Sequence, residues 1–326
     1  MALSFTDLSL PELLEYRPVL FEPDDLDEFW RSTIAEARDA AAPLEVIPAT
    51  TRLTGVTVED AVFSGFAGDP VRAWIIRPKD AAPAAPAVVE FIGYGGGRGI
   101  AGEKLAWAAS GYVYVIMDTR GQGSGWGSGG STPDPQGTGP STPGFMTRGI
   151  LDPHDYYYRR VYTDAVRLLD EVALLPGVDP TRIAVTGGSQ GGGISLAAAA
   201  LSDRVAAVMP DVPFLCDFPR SIRRTPEPPF TEITRFLSVH REHGAAVMNT
   251  LSYMDGAILA RRITAPSYVS VGLMDEIVLP STVFAAFNAI AAEDKSLEVY
   301  EFNGHEGGGF FHWTRQADWL AARFGV

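Results

Sequence analysis

Six short apolar runs recur along this chain with helical stretches between them, and no other feature restricts its fold as much. They are AVVEFI at 87–92, YVYVIMD at 112–118, RIAVTG at 182–187, VAAVM at 205–209, SYVSVG at 267–272 and LEVYEF at 297–302. A strand that is apolar at nearly every position has no face for solvent. Such strands separated by helices require crossover connections, and so an α/β fold: a mostly parallel sheet with helices on both faces. Residues 155–174 supply one of the helices, because Val161, Ala165, Leu168, Leu169 and Val172 form one apolar stripe and Pro176-Gly177 ends it.

The flanks are organised differently. Residues 24–38 carry Leu26, Phe29, Trp30, Ile34 and Ala37 near helical spacing behind Asp24 and Asp25, which predicts a helix within an N-terminal helical extension over 1–50. Between Val56 and Ile76, VTVEDAVF and VRAWII flank the turn composition FAGDP and predict an antiparallel hairpin. Two stretches break the alternation, 119–150, rich in Gly and Pro, and 213–262, which opens on PFLCDFPRSIRRTPEPPF before turning helical. Connections beyond about 15 residues are usually functional or disordered, so both are expected to decorate the rim of a site. The chain as a whole, 1–326, reads as a single domain.

Composition narrows the partners. With 46% hydrophobic and 20% charged residues the chain is globular, and 26 basic against 40 acidic residues leave a net charge of −14. That field repels phosphate backbones and anionic headgroups, so neither nucleic acid nor membrane is an expected partner. The uncharged stretch between Arg182 and Asp203 is long enough to raise a membrane span, but Gly, Ser, Thr and Gln make up about half of it. Cys216 is the only cysteine, which excludes an intrachain disulfide, and the opening residues lack a basic and an apolar leader region; a cytoplasmic location is expected.

The strongest chemical signal is Gly187-Gly188-Ser189-Gln190-Gly191, a G-x-S-x-G directly after the strand RIAVT and before a stretch able to form a helix. A sharp strand-to-helix turn of this kind exposes a serine Oγ, and the helix dipole favours negative charge developing nearby. A serine hydroxyl needs an adjacent base, usually a histidine held by a carboxylate. Of the five histidines, His154, His240 and His243 fall in helical stretches and His312 beside Trp313, where each reads as a surface or packing residue. His305, just after the last apolar run, holds the chain position this topology gives the base. The acid should lie between serine and histidine. Asp275 does so just after SYVSV, with Asp211 and Glu276 as competitors; Asp164 and Asp170 read as solvated charges on a helix face. Oxyanion donors are expected from the N–H of Gln190 and from the loop IGYGGGRG, with Tyr94 the candidate; the alternative is that Gly93 to Gly99 merely make a tight turn.

Two further matches carry no chemistry. Gly125-x-Gly127-x-x-Gly130 fits a dinucleotide pattern, but STPDPQGTGP follows it where a helix should begin. His305-Glu306 resembles the start of a zinc-protease motif, but position 309 is Gly where the second histidine should stand, so no metal is expected.

Arg120-Gly121-Gln122, Gly187-Gly188-Ser189-Gln190-Gly191 and His305-Glu306 together resemble the three signature motifs of the acetyl xylan esterase and cephalosporin C deacetylase family, carbohydrate esterase family seven. GFMTRGILDPHDYYYRRVYTDAVR, DVPFLCDF, TLSYMDG and GLMDEIVLPSTVFAA are similar to family segments as well. The resemblance implies an α/β-hydrolase fold, release of acetate from esterified alcohols without a cofactor, and a triad of Ser189, Asp275 and His305 with oxyanion amides from Tyr94 and Gln190. It also implies a structural role for Arg120, Gln122 and Glu306, an acyl pocket bounded by Trp107, Pro229 and Phe230, and a homohexamer around a shared cavity. Two alternatives accompany it: a peptidase of the prolyl oligopeptidase type, although no propeller-sized N-terminal domain is present, and a non-catalytic binding protein on the same scaffold.

Overall fold

A computed structural model describes residues 7–136 and 144–326. Among the described residues nine strands form one sheet: β1 (Glu45–Pro48), β2 (Val56–Ser64), β3 (Pro70–Pro78), β4 (Ala85–Glu90), β5 (Val113–Met117), β6 (Val178–Gly188), β7 (Ala207–Asp211), β8 (Ser267–Gly272) and β9 (Lys295–Tyr300). Their order is β1-β2-β3-β5-β4-β6-β7-β8-β9. The six apolar runs became β4 to β9, all parallel, and β5 and β8 are buried along their whole length. The predicted hairpin is β2 and β3, paired antiparallel from Val56↔Pro78 to Ser64↔Pro70, and β3 joins β5 antiparallel.

One expectation about the N-terminal extension is corrected. It contains two helices, α1 (Leu10–Glu15) and α2 (Leu26–Asp39), but its end is β1, which adds a strand to the sheet edge. All four β1 residues are exposed, so no apolar alternation marked them.

Helices cover both faces. The order of the rest is α3 (Ala106–Ala109), α4 (Tyr157–Val172), α5 (Gln190–Leu201), α6 (Phe218–Arg224), α7 (Phe230–Val239), α8 (Gly244–Ser252), α9 (Gly256–Leu259), α10 (Pro280–Ala289) and α11 (Gly309–Phe324). Successive strand residues point to opposite faces. Thus Val89 and Val115 pack with α4, α5 and α10, while Val88, Tyr114 and Ile116 pack with Trp107 and Ala108 of α3 and Leu320 and Phe324 of α11. α5 lies between the sheet and α4 and α9 and is buried through Ala199, which accounts for a helix apolar on every side.

The strand order places the site. From β4 the chain steps outward to β5 and then returns past β4 to β6, so the loops after β4 and β6 leave the sheet at a point where the winding direction reverses. Open α/β sheets hold their ligands in that crevice, beyond the carboxyl ends of the strands.

Candidate active site

Ser189 is the single residue between β6 and α5 and has φ 57 and ψ −117, in the left-handed region that a side-chain-bearing residue enters only under strain. Three backbone bonds hold it there. Its N–H donates to Asp211 O at 2.9 Å, and its carbonyl accepts from Phe214 N at 2.9 Å and Gly193 N at 3.0 Å. The flanking glycines are required by close approach: a Cβ on Gly187 would stand 2.5 Å from Phe91 O, and one on Gly191 would strike the same carbonyl.

His305 follows β9 and Asp275 follows β8, and their side chains meet with Nδ1 of His305 2.8 Å from Oδ2 of Asp275. Asp275 is fully buried, and its Oδ1 accepts the N–H groups of Ile277 and Val278 at 2.8 and 2.9 Å. Those bonds fix the carboxylate and leave Oδ2 to the imidazole. Glu306 accepts from Gly304 N at 3.1 Å and from the Asn303 side chain, which secures the turn that presents His305.

Ser189 and His305 line one cavity of about 520 Å³, with Gly93, Tyr94, Trp126, Asp211, Pro229 and Ile277 among its walls. Asp211, the competing acid, is paired elsewhere. Its Oδ1 accepts from Ser270 Oγ at 3.0 Å and Gln316 Nε2 at 2.9 Å, and Nε2 of the buried His312 lies 3.2 Å away without a hydrogen-bonding angle. The other ring nitrogen of His312 is 3.0 Å from the Tyr300 hydroxyl. Glu276, the third acid considered, is not part of the cavity wall.

The loop after β4 is tied to the elbow by side-chain amides. Gln122 Oε1 accepts the N–H of Gly95 at 2.7 Å, its Nε2 donates to Gln190 Oε1 at 2.8 Å and Tyr157 Oη at 3.0 Å, and Gln190 Nε2 donates to Ile92 O at 3.0 Å. Arg120 is fully buried. Its Nε and Nη2 donate to both oxygens of Asp164 at 2.6 and 2.7 Å, and its Nη1 donates to Asp69 at 3.0 Å. The fork geometry of such a pair fixes orientation as well as charge. Asp164 is therefore not a solvated helix-face charge: it is fully buried, and burial pushes its carboxyl up against the opposing pull of Arg120. Asp170 is also paired, with Arg38 at 2.8 Å and Arg167 at 2.6 Å.

Two residues expected in the acyl pocket are not in its wall. Trp107 is 3% exposed and packs edge-on to Tyr112 and Trp313 in the cluster under α11, because α3 turns it toward the sheet face opposite α5. Phe230 is fully buried behind the wall, its ring 4.3 Å from that of Phe214. Pro229 does line the cavity.

Sequence reasoning missed Trp126 and Glu232. Trp126 lines the cavity, and its Nε1–H donates to the Tyr94 carbonyl at 2.7 Å. Its signal was a large aromatic alone in a glycine-rich loop with no apolar neighbour to pack on. Glu232, on α7, accepts from the Tyr94 hydroxyl at 2.6 Å and Met146 N at 3.0 Å, and the same hydroxyl accepts from Phe145 N at 2.6 Å. Burial and the adjacent carboxylate push the Tyr94 phenol well up, so it remains a donor. Part of the 119–150 segment, residues 137–143, lies outside the described residues. Among the described residues no group of three or more His, Cys, Asp or Glu side chains could hold a metal ion, and no helix is long and apolar enough to cross a membrane.

Comparison with known proteins identifies relatives of the whole chain. The acetyl xylan esterase family (AXE1) matches residues 3–323. The acetyl esterase Axe7A of Xylanibacter ruminicola is 29% identical over 310 residues, 90% of this chain, and the chain spans 66% of that esterase's length. An acetyl xylan esterase from Paenibacillus sp. R4 has a TM-score of 0.91 at 38% identity, covering 97% of this chain and 99% of that one. Acetyl xylan esterase 1 from Thermoanaerobacterium sp. JW/SL YS485 has a TM-score of 0.88 at 34% identity, covering 96% and 99%. The fold is that of the α/β-hydrolases, and the chain belongs to the acetyl xylan esterase family.

Proposed function

We propose that this protein is a serine esterase that removes acetyl groups from acetylated xylo-oligosaccharides and small acetylated sugars, with the acetoxymethyl group of cephalosporin C as a further substrate. The observation that carries the reading is the His305–Asp275 contact of 2.8 Å opening onto the same cavity as the strained Ser189.

In this reading Asp275 holds His305 Nδ1–H, which leaves Nε2 unprotonated to take the Ser189 proton as Oγ attacks the acetyl carbonyl. Negative charge gathers on the carbonyl oxygen at the start of α5, where the first N–H groups of a helix have no intrahelical acceptor. The N–H of Gln190 and that of Tyr94 are the assigned donors. Collapse expels the sugar oxygen, which takes the proton from His305 to become a hydroxyl, and leaves acetyl on Ser189. Water, deprotonated by the same imidazole, then releases acetate and restores the serine. Arg120, Gln122 and Glu306 hold the loops that present these groups. Pro229, backed by Phe230, bounds the acyl side.

The same reading treats residues 1–326 as one domain whose segments 119–150 and 213–262 form the rim. It takes the active form as a homohexamer and places it in the cytoplasm, where the lone Cys216 suits a reducing compartment. Ser189→Ala tests the core of the proposal: turnover of an acetyl ester should fall by several orders of magnitude with the melting temperature preserved, and wild-type turnover would end it.

A further inference from the structure

The indole of Trp126 stands on glycines. Its ring lies against Gly93 and Gly96: a Cβ added to Gly93 would come 3.3 Å from Cζ2, and one added to Gly96 would overlap the ring. Its nitrogen reaches the Tyr94 carbonyl at 2.7 Å, while the next N–H, that of Gly95, is held by Gln122 at 2.7 Å. Both polar atoms of the Tyr94–Gly95 peptide are therefore fixed by side chains, directly beside the Tyr94 N–H. Trp126 nonetheless remains 52% exposed, in the wall of the cavity that Ser189 and His305 share. A large aromatic left half in water next to a nucleophile offers a flat apolar face together with a bound polar edge, a pairing suited to partners that are themselves amphipathic. The C–H face of a pyranose ring is such a partner, since covering the indole removes apolar area of both from water.

We propose that Trp126 is a positioning and specificity-determining residue for sugar esters: its N–H aligns the oxyanion loop, and its exposed face carries the sugar ring of the substrate. The proposal rests on the esterase reading above and adds to it the residue that would carry the sugar ring. Its two parts separate in the kinetics, because alignment acts on the transition state and stacking acts mainly on binding.

The experiment measures kcat and KM of Trp126→Phe and Trp126→Ala on acetylated xylo-oligosaccharides and on glycerol triacetate, an acetyl ester without a ring. Trp126→Phe keeps a flat ring and removes the donor, so kcat should fall about tenfold on both esters with KM unchanged. Trp126→Ala should show the same loss in kcat and, in addition, a KM raised about tenfold for the oligosaccharides alone. Trp126→Leu, apolar but not flat, repeats the KM comparison if the alanine variant fails to fold. An unchanged kcat in Trp126→Phe, or a KM that rises equally for both esters in the alanine or leucine variant, overturns the proposal. Inactivity of Ser189→Ala alongside unchanged constants in the Trp126 variants overturns it while leaving the serine reading in place.

Discussion

The buried side chains of Gln122 and Gln190 meet amide to amide, Nε2 of Gln122 donating to Oε1 of Gln190 at 2.8 Å. This contact joins the glycine-rich segment after β5 to the residue that follows the nucleophile. Because Gln122 also holds Gly95 N and reaches Tyr157, Gln122→Leu strands polar groups in the interior. Each buried group left unsatisfied costs about 1–3 kcal/mol. We predict a lower unfolding midpoint and a reduced kcat with little change in KM, measured by urea unfolding and steady-state kinetics on one preparation.

Asp275 has a sharper effect. Asp275→Asn keeps the shape but favours the wrong imidazole tautomer, so kcat should fall by about 10⁴ while the fold stays intact. Asp211→Asn should lower kcat by less than about tenfold, because the Asp211 side chain serves Ser270 and Gln316 and holds no group assigned to the reaction. Reversed outcomes would move the acid to Asp211.

What could be read from sequence follows from the range over which each signal acts. β4 to β9 and α4 were legible because burial on both faces, or on one stripe, leaves its mark within a few neighbouring residues. The elbow was legible because Gly187, Ser189 and Gly191 answer to a local steric demand. β1 left no such mark, being exposed throughout. The Arg120–Asp164 pair joins residues 44 apart and Trp126–Tyr94 residues 32 apart, and neither partner announces the other in its own surroundings. Trp107 was placed at the pocket by resemblance alone, and the direction in which α3 turns it depends on packing against Tyr112 and Trp313.

That correction changes the expected basis of acyl selectivity. Acetyl esters should be cleaved faster than butyryl esters, and Pro229→Ala should raise the butyryl-to-acetyl ratio of kcat/KM, since overfilling a tight pocket displaces the carbonyl from its donors. Trp107→Ala should leave that ratio unchanged and lower stability by about 3–5 kcal/mol, the cost of emptying a large core site. Ester-panel kinetics beside denaturant unfolding check both.

Stability should respond to pH at the buried Asp255. Burial raises the Asp255 carboxyl from its ordinary 3.8 to about 7 in the folded chain, although its oxygens accept the N–H groups of Phe218, Ala257 and Asp217. A carboxyl with a raised folded-state pKa binds its proton more tightly folded than unfolded. Its contribution to stability is therefore present below 3.8 and is lost as pH rises toward about 7. Relative to wild type, Asp255→Asn should gain stability across that window, as followed by urea midpoints at a series of pH values.

In the proposed reaction acetyl passes through Ser189. The most direct measurement is acid quenching during turnover of an acetyl ester, followed by peptide mass spectrometry. Acetyl on the peptide carrying Ser189 is the predicted result, with the label absent in Ser189→Ala. Wild-type turnover in Ser189→Ala, with no acetylated peptide at any quench time, would contradict it.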